Sequence, residues 1–132
     1  MTGHADTGHA DIGHADVEHA ETVALLRTAA DIIDSDGWHQ GGTCRDGPDS
    51  GPCCPLGALS RALRAHPRAS LSRAADALLW GGRIQPGPSG PRVADIIRWN
   101  DHPDRTRAAV TATLRRAADW LTRAILCPPI RA

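Results

Sequence analysis

Apolar residues recur along this chain at intervals of three and four, and no segment alternates apolar with polar residues as a half-buried strand does. Val23, Leu26, Ala30 and Ile33 keep this rhythm from about residue 17 to Asp36, where Gly37 supplies a stop. Pro55 suits the first turn of a second helix, with Leu56, Leu59 and Leu63 on its apolar face and an end near His66-Pro67. A third helix over roughly 69–80 turns Leu71, Ala75, Leu78 and Leu79 inward and stops at Gly81-Gly82. Ser89 and Pro91 open a short fourth helix with Val93, Ile96 and Ile97 on its buried side. The last helix, about 102–125, carries a stripe of Val110, Leu114, Ala117, Leu121 and Ile125 before Pro128-Pro129. The pattern predicts an all-α bundle of four to five helices.

Two Gly/Pro-rich loops interrupt it, at 37–54 and 81–91. Both exceed the roughly two to eight residues usual between bundled helices. Long loops on a helical scaffold are where binding residues tend to sit, so a site is sought there.

The start of the chain reads T-G-H-A-D, T-G-H-A-D, I-G-H-A-D, V-E-H-A-E, which sets His4, His9, His14 and His19 in register. His-rich tracts can bind metal. At about 100° per helical residue a step of five rotates about 140°, so the four imidazoles do not share a face. Gly3, Gly8 and Gly13 weaken any helix as well. Residues 1–16 are therefore read as a disordered tail, 17–127 as a helical domain and 128–132 as a C-terminal tail.

The domain lacks Phe and Tyr, so Trp38, Trp80, Trp99 and Trp120 are its expected large packing units. All fifteen basic residues are Arg, which with the abundant Ala points to a GC-rich genome. Five acids and no Arg fall in residues 1–21, leaving a mildly basic remainder that permits nucleic-acid contact without demanding it. The N-terminal segment has no basic start followed by an apolar run, and no stretch reaches the roughly 20 apolar residues of a membrane span. A cytoplasmic placement, away from membranes, is expected, with the four Cys as thiols.

Candidate chemistry concentrates in the first loop. His39, Cys44, Cys53 and Cys54 are four potential zinc ligands, but H-x4-C-x8-C-C lacks the C-x2-C knuckle, so neither metal nor another cofactor is expected. Cys54 precedes Pro55 at a helix start, where free N–H groups and the helix dipole lower a thiol pKa. That makes Cys54 a candidate nucleophile, with His39 or His102 as base and Asn100 or Asp101 as orienting groups; the favoured alternative is a small apolar Cys packed under the Trp residues. Trp99-Asn100-Asp101 reads as the entry to the last helix, Asp101 being its N-cap, and also as a polar pair beside a Trp wall. Arg61, Arg64, Arg68 and Arg73 lie across a possible helix-turn-helix, whose Ala/Leu-rich second helix offers few groups for reading bases.

Three motifs together carry a resemblance: G-W-x-x-G at 37–41, C-x-x-G-A at 54–58 and W-N-D at 99–101, ahead of an Ala-rich terminal helix. Residues 20–125 resemble an uncharacterised family of short helical proteins from actinobacteria and their phages. The resemblance singles out Gly37, Trp38, Cys54, Gly57, Trp99, Asn100 and Asp101 and implies no activity. The pentad tail and Cys53 depart from the family pattern.

The leading expectation is a non-enzymatic binding or accessory module for a protein or small molecule. Its pocket would lie between the 37–54 loop and the Trp99-Asn100-Asp101 turn, bordered by Trp38 and Cys54. A Cys54-dependent enzyme ranks second and a DNA-binding protein third. The tail reading carries its own test: deleting residues 1–16 leaves the thermal midpoint nearly unchanged, and a large drop would show that the tail packs on the domain.

Overall fold

The computed structural model describes the backbone of residues 3–126 and the side chains of residues 15–124. Five helices follow in order: α1 (Gly3–Asp36), α2 (Pro55–Ala62), α3 (Leu71–Trp80), α4 (Val93–Asn100) and α5 (Arg107–Leu126). The architecture is an all-α bundle, as the periodicity predicts. Among the described residues there is no strand, only two single-residue bridges inside the first loop. No described helix is long and apolar enough to cross a membrane.

Helix α1 packs against α5, α2 and α3. Its partners on α5 descend in number as α1 ascends: His19 bonds the Leu121 carbonyl, Arg27 pairs with Asp119, and Asp31 and Asp34 pair with Arg115. The two helices are therefore antiparallel. Leu25, Leu26 and Ile33 of α1 and Val110 and Leu114 of α5 are buried completely, beside Ala29, Ala30, Ala117 and Ala118. Small alanines let helix axes approach closely, so leucine and isoleucine fill the core without aromatic bulk. The exposed ion pairs along the rim add about 0–1 kcal/mol each.

The tail expected over residues 1–16 falls almost wholly outside the described side chains, and nothing in the packing bears on it. Residues 128–132 lie outside the description entirely. The fourth His of the repeat is integrated. His19 is buried, with Nε2 2.8 Å from the Leu121 carbonyl oxygen.

Three local expectations are corrected. Trp80 is 60% exposed, and Trp38, Trp99 and Trp120 pack only at the margin of the core. On α4, Ile96 is buried while Val93 and Ile97 are about half exposed. Two turns of helix bury one line of side chains, and here that line pairs Ile96 with Asn100, four residues on. Finally, α5 starts at Arg107 rather than near 102. The cap is Thr106, whose hydroxyl accepts the Ala109 N–H at 3.1 Å and whose carbonyl accepts the Val110 N–H at 3.1 Å. Asp101 instead ends α4 as its C-cap. The Trp99-Asn100-Asp101 motif thus closes one helix and does not open the next.

Candidate functional site

The first loop begins at Gly37, whose φ of +107° turns the chain away from α1. A β-carbon there would sit 3.0 Å from Pro52, so the position demands glycine on both counts. The loop then folds onto itself around Cys53. Its N–H donates to the Gly37 carbonyl at 3.1 Å, and its carbonyl accepts from the His39 N–H at 3.0 Å. On the other side the Arg45 N–H reaches the Pro52 carbonyl at 2.9 Å and the Cys54 N–H reaches the Thr43 carbonyl at 2.7 Å. The outer excursion, 47–51, closes over Arg61.

Arg61 is 8% exposed and uses every donor nitrogen. Nε donates to the Pro48 carbonyl (2.9 Å), Nη1 to the Gly51 carbonyl (2.9 Å) and the Asp36 carboxylate (3.0 Å), and Nη2 to the carbonyls of Ser50 (2.9 Å) and Gly47 (3.3 Å). One guanidinium replaces the backbone ladder that this Gly/Pro-rich segment cannot make. Arg64 pairs with Asp49 beside it, and Arg73 with Glu18. Three of the four arginines considered for phosphate contact thus hold the protein's own chain.

The loop is clamped to the end of α4 through Asn100, which is 1% exposed. The Trp38 indole N–H donates to Asn100 Oδ1 at 2.6 Å, and Asn100 Nδ2 donates to the His39 carbonyl at 3.0 Å. Gln40 Nε2 reaches the carbonyls of Asn100 (2.8 Å) and His102 (2.9 Å). The Gly41 N–H donates to Asp101 Oδ1 at 2.9 Å. Trp38, Asn100 and Asp101 are therefore brought together. They bond to one another across the seam, and the seam itself is filled.

Open space lies to either side of it. One cleft, of about 440 Å³, is lined by the 85–88 segment, Asp95, Arg98, Trp99, His102 and Arg105. The Arg105 guanidinium lies 4.2 Å from the centre of the Trp99 ring, and its Nε donates to the Trp99 carbonyl at 2.8 Å. Asp95, itself buried, accepts the N–H of Arg92 at 2.8 Å and of Gly87 at 3.0 Å and pairs with Arg98. The Arg92 hydrogen bond leads, followed by that of Gly87 and the charge of Arg98, in holding the Asp95 carboxyl below its ordinary range; burial opposes them. A second cleft, of about 310 Å³, is walled by Thr43, Cys44, Pro48, Leu56 and Gly57. A β-carbon on Gly57 would overlap the Thr43 carbonyl and lie 2.7 Å from Cys44 Sγ, which accounts for the glycine of C-x-x-G-A.

Cys54 sits where expected, at the N-cap of α2 with Sγ accepting the Gly57 N–H at 3.4 Å. Burial works against the expected thiolate character. The residue is 5% exposed, and burial pushes its thiol up, outweighing the Gly57 and Leu56 N–H groups; Cys44 and Asp101 push the same way. His39 and His102 make no hydrogen bond to its sulfur; His102 Nδ1 instead accepts the Asp104 N–H at 3.0 Å. Among the described residues, no three His, Cys, Asp or Glu side chains converge as a metal site would require.

Asp95 and Arg105 carried no signal in the sequence, and Arg61 was marked there only as a possible phosphate contact. In a chain whose basic residues are all Arg, residue type does not separate a buried organiser from a solvated one.

A family model described as a family of unknown function (DUF6197) matches residues 17–119. No curated protein and no solved structure matches the chain.

Two outcomes follow from this geometry. Asn100→Ala strands the Trp38 indole N–H and the His39 carbonyl in a buried seam, and costs about 2–4 kcal/mol in denaturant unfolding. Asp101→Ala loses the exposed Gly41 bond and a long one from Asn100 Nδ2 (3.5 Å) and costs about 1 kcal/mol; equal losses would contradict the clamp. The second outcome concerns alkali. The chain has neither Lys nor Tyr, so cysteines are the side chains that titrate between their ordinary value and the arginine range. Cys53 is raised from 9.0 to about 12, first by burial and then by its contact with Cys44. The unfolded chain releases this proton at the ordinary value while the folded chain keeps it. Stability under reducing conditions is therefore full below pH 9.0 and falls as pH climbs towards about 12. Urea unfolding across that range checks the slope, and Cys53→Ala lessens it.

Proposed function

We propose that this chain, which belongs to the DUF6197 family of unknown function, is a small helical binding module whose ligand site adjoins the seam between the 37–54 loop and the Trp99-Asn100-Asp101 turn. The observation that carries this reading is the cleft of about 440 Å³ in which Trp99 and Arg105 stack at 4.2 Å. Indole supplies an apolar face, and guanidinium supplies directed charge. Arg105 Nε is committed to the Trp99 carbonyl, which leaves its terminal nitrogens for a ligand. The Asp95 charge is answered by Arg92, Gly87 and Arg98. The chemistry suits a small planar anion such as an aromatic carboxylate.

In this reading Trp99 touches the ligand, while Trp38, Cys54, Asn100 and Asp101 keep the neighbouring backbone in place. Burial of Cys54 and the absence of a base bonded to it favour binding over catalysis. Engagement of Arg61, Arg64 and Arg73 within the fold weighs against nucleic acid. The all-Arg, Ala-rich composition supports an actinobacterial or phage origin, and the cytoplasmic placement read from the sequence belongs to the same proposal.

Benzoate and inorganic phosphate titrated separately, with the Trp99 indole N–H followed by NMR, test the reading. Benzoate shifts that resonance to saturation; in calorimetric titrations, which need no indole signal, Arg105→Ala weakens binding about tenfold or more and Trp99→Ala abolishes it. No shift in the native chain, or undiminished binding heat from Trp99→Ala, overturns the proposed site.

A further inference from the structure

Cys44 and Cys53 meet across the first loop as an antiparallel pair. The hydrogen bonds that define the pair run between their neighbours, from Arg45 to Pro52 and from Cys54 to Thr43, so the two cysteines occupy a non-hydrogen-bonded position. At such positions α-carbons stand about 4.5 Å apart and side chains approach most closely. That separation falls within the range a disulfide spans. The sulfurs lie 2.6 Å apart, well inside ordinary non-bonded contact. Both residues are thiols here, Cys53 fully buried and Cys44 partly exposed on the wall of the smaller cleft. Cys54 is turned elsewhere, with its sulfur on the Gly57 N–H.

We propose that Cys44 and Cys53 are a dithiol site for exchange with small-molecule disulfides, Cys44 taking up the incoming group and Cys53 resolving it into an internal disulfide. The access of the two residues assigns these roles. A disulfide RSSR can reach Cys44 through the cleft, whereas Cys53 has no exposed surface. The Cys44 thiol gives up its proton, and its sulfur attacks one sulfur of RSSR. A Cys44–SR bond forms, the S–S bond of RSSR breaks, and the departing RS⁻ takes up the proton. Cys53 then loses its proton as its sulfur attacks Cys44 Sγ, and the second RS⁻ leaves and is protonated. Two protein thiols are oxidised by two electrons, and RSSR is reduced to two RSH.

Burial raises the Cys53 thiol, which makes it a poor partner for oxidant in solution. Its fixed contact with Cys44 makes the second step intramolecular and correspondingly fast. The nearby Arg61 guanidinium favours the thiolate that this step needs. The product covalently closes residues 44–53 and so fixes Cys53, whose backbone holds Gly37 and His39 on either side of Trp38.

Full-length protein carrying Cys54→Ser is the substrate for the test, because serine also caps a helix and removes the adjacent thiol. Oxidised glutathione is added under native conditions, the reaction is quenched with acid and alkylated, and peptides are mapped by mass. The expected product has lost two hydrogens, carries a Cys44–Cys53 link, retains no glutathione and is restored by dithiothreitol. Its formation is about tenfold or more faster than in urea-unfolded protein, because the fold holds the thiols together. Cys53→Ser in the same background traps glutathione on Cys44, and Cys44→Ser leaves Cys53 unmodified. A link to Cys127, glutathione that stays on Cys44 with Cys53 present, or a rate no higher than in urea overturns the proposal. Should Cys53→Ser lose its helical circular dichroism, the native-to-urea rate ratio decides alone.

Discussion

The side-chain amide of Asn100 is the contact on which the arrangement of the loops depends. It is buried at the end of α4 and answers two groups of the first loop at once, the Trp38 indole and the His39 carbonyl. Such a group contributes modestly when paired and costs heavily when its partners are stranded. The seam therefore has one satisfied state, and the end of α4 and the start of the loop are placed relative to each other by it. The cleft beside Trp99 inherits its shape from that placement.

The same logic recurs in the other irregular segments. Beyond the two bridges around Cys53 the Gly/Pro-rich loops form no ladder among the described residues, and the outer part of each is organised by a charged side chain from a neighbouring helix. Arg61 of α2 collects the carbonyls of 47–51, and Asp95 of α4 collects the N–H groups of Gly87 and Arg92. An arginine offers five donors and no acceptor, and a carboxylate the reverse, so one gathers carbonyls and the other amides. Loops held this way keep a defined surface despite their composition, which is the condition for a binding site on them.

The thiols show how two local influences compete. A helix N-terminus lowers the pKa of Cys54, and burial raises it; burial prevails because the desolvated thiolate finds only two N–H groups. Cys53 has a stronger version of the same burden, with a second thiol beside it. Burial thus favours the protonated form of Cys53 and Cys54, while the antiparallel pairing sets Cys53 against Cys44.

Helix number, helix type and the two loops were legible in the residues, because periodicity and Gly/Pro punctuation act within a few positions of the chain. The core stripe of α1 (Val23, Leu26, Ala30 and Ile33) and the described part of that of α5 were legible for the same reason. Three motifs in the sequence likewise marked Trp38, Asn100 and Asp101 as belonging together. Their roles were not legible. Asp101 has the residue type of an N-cap, and only the late start of α5 makes it the C-cap of α4 and the acceptor for Gly41. The exposure of Trp80 and the five bonds of Arg61 were equally out of reach. Each depends on partners or solvent access set by segments far away in sequence, such as the 62 positions between Trp38 and Asn100. Spacing carries information about one helix at a time; burial and long-range hydrogen bonds exist only once the helices have met.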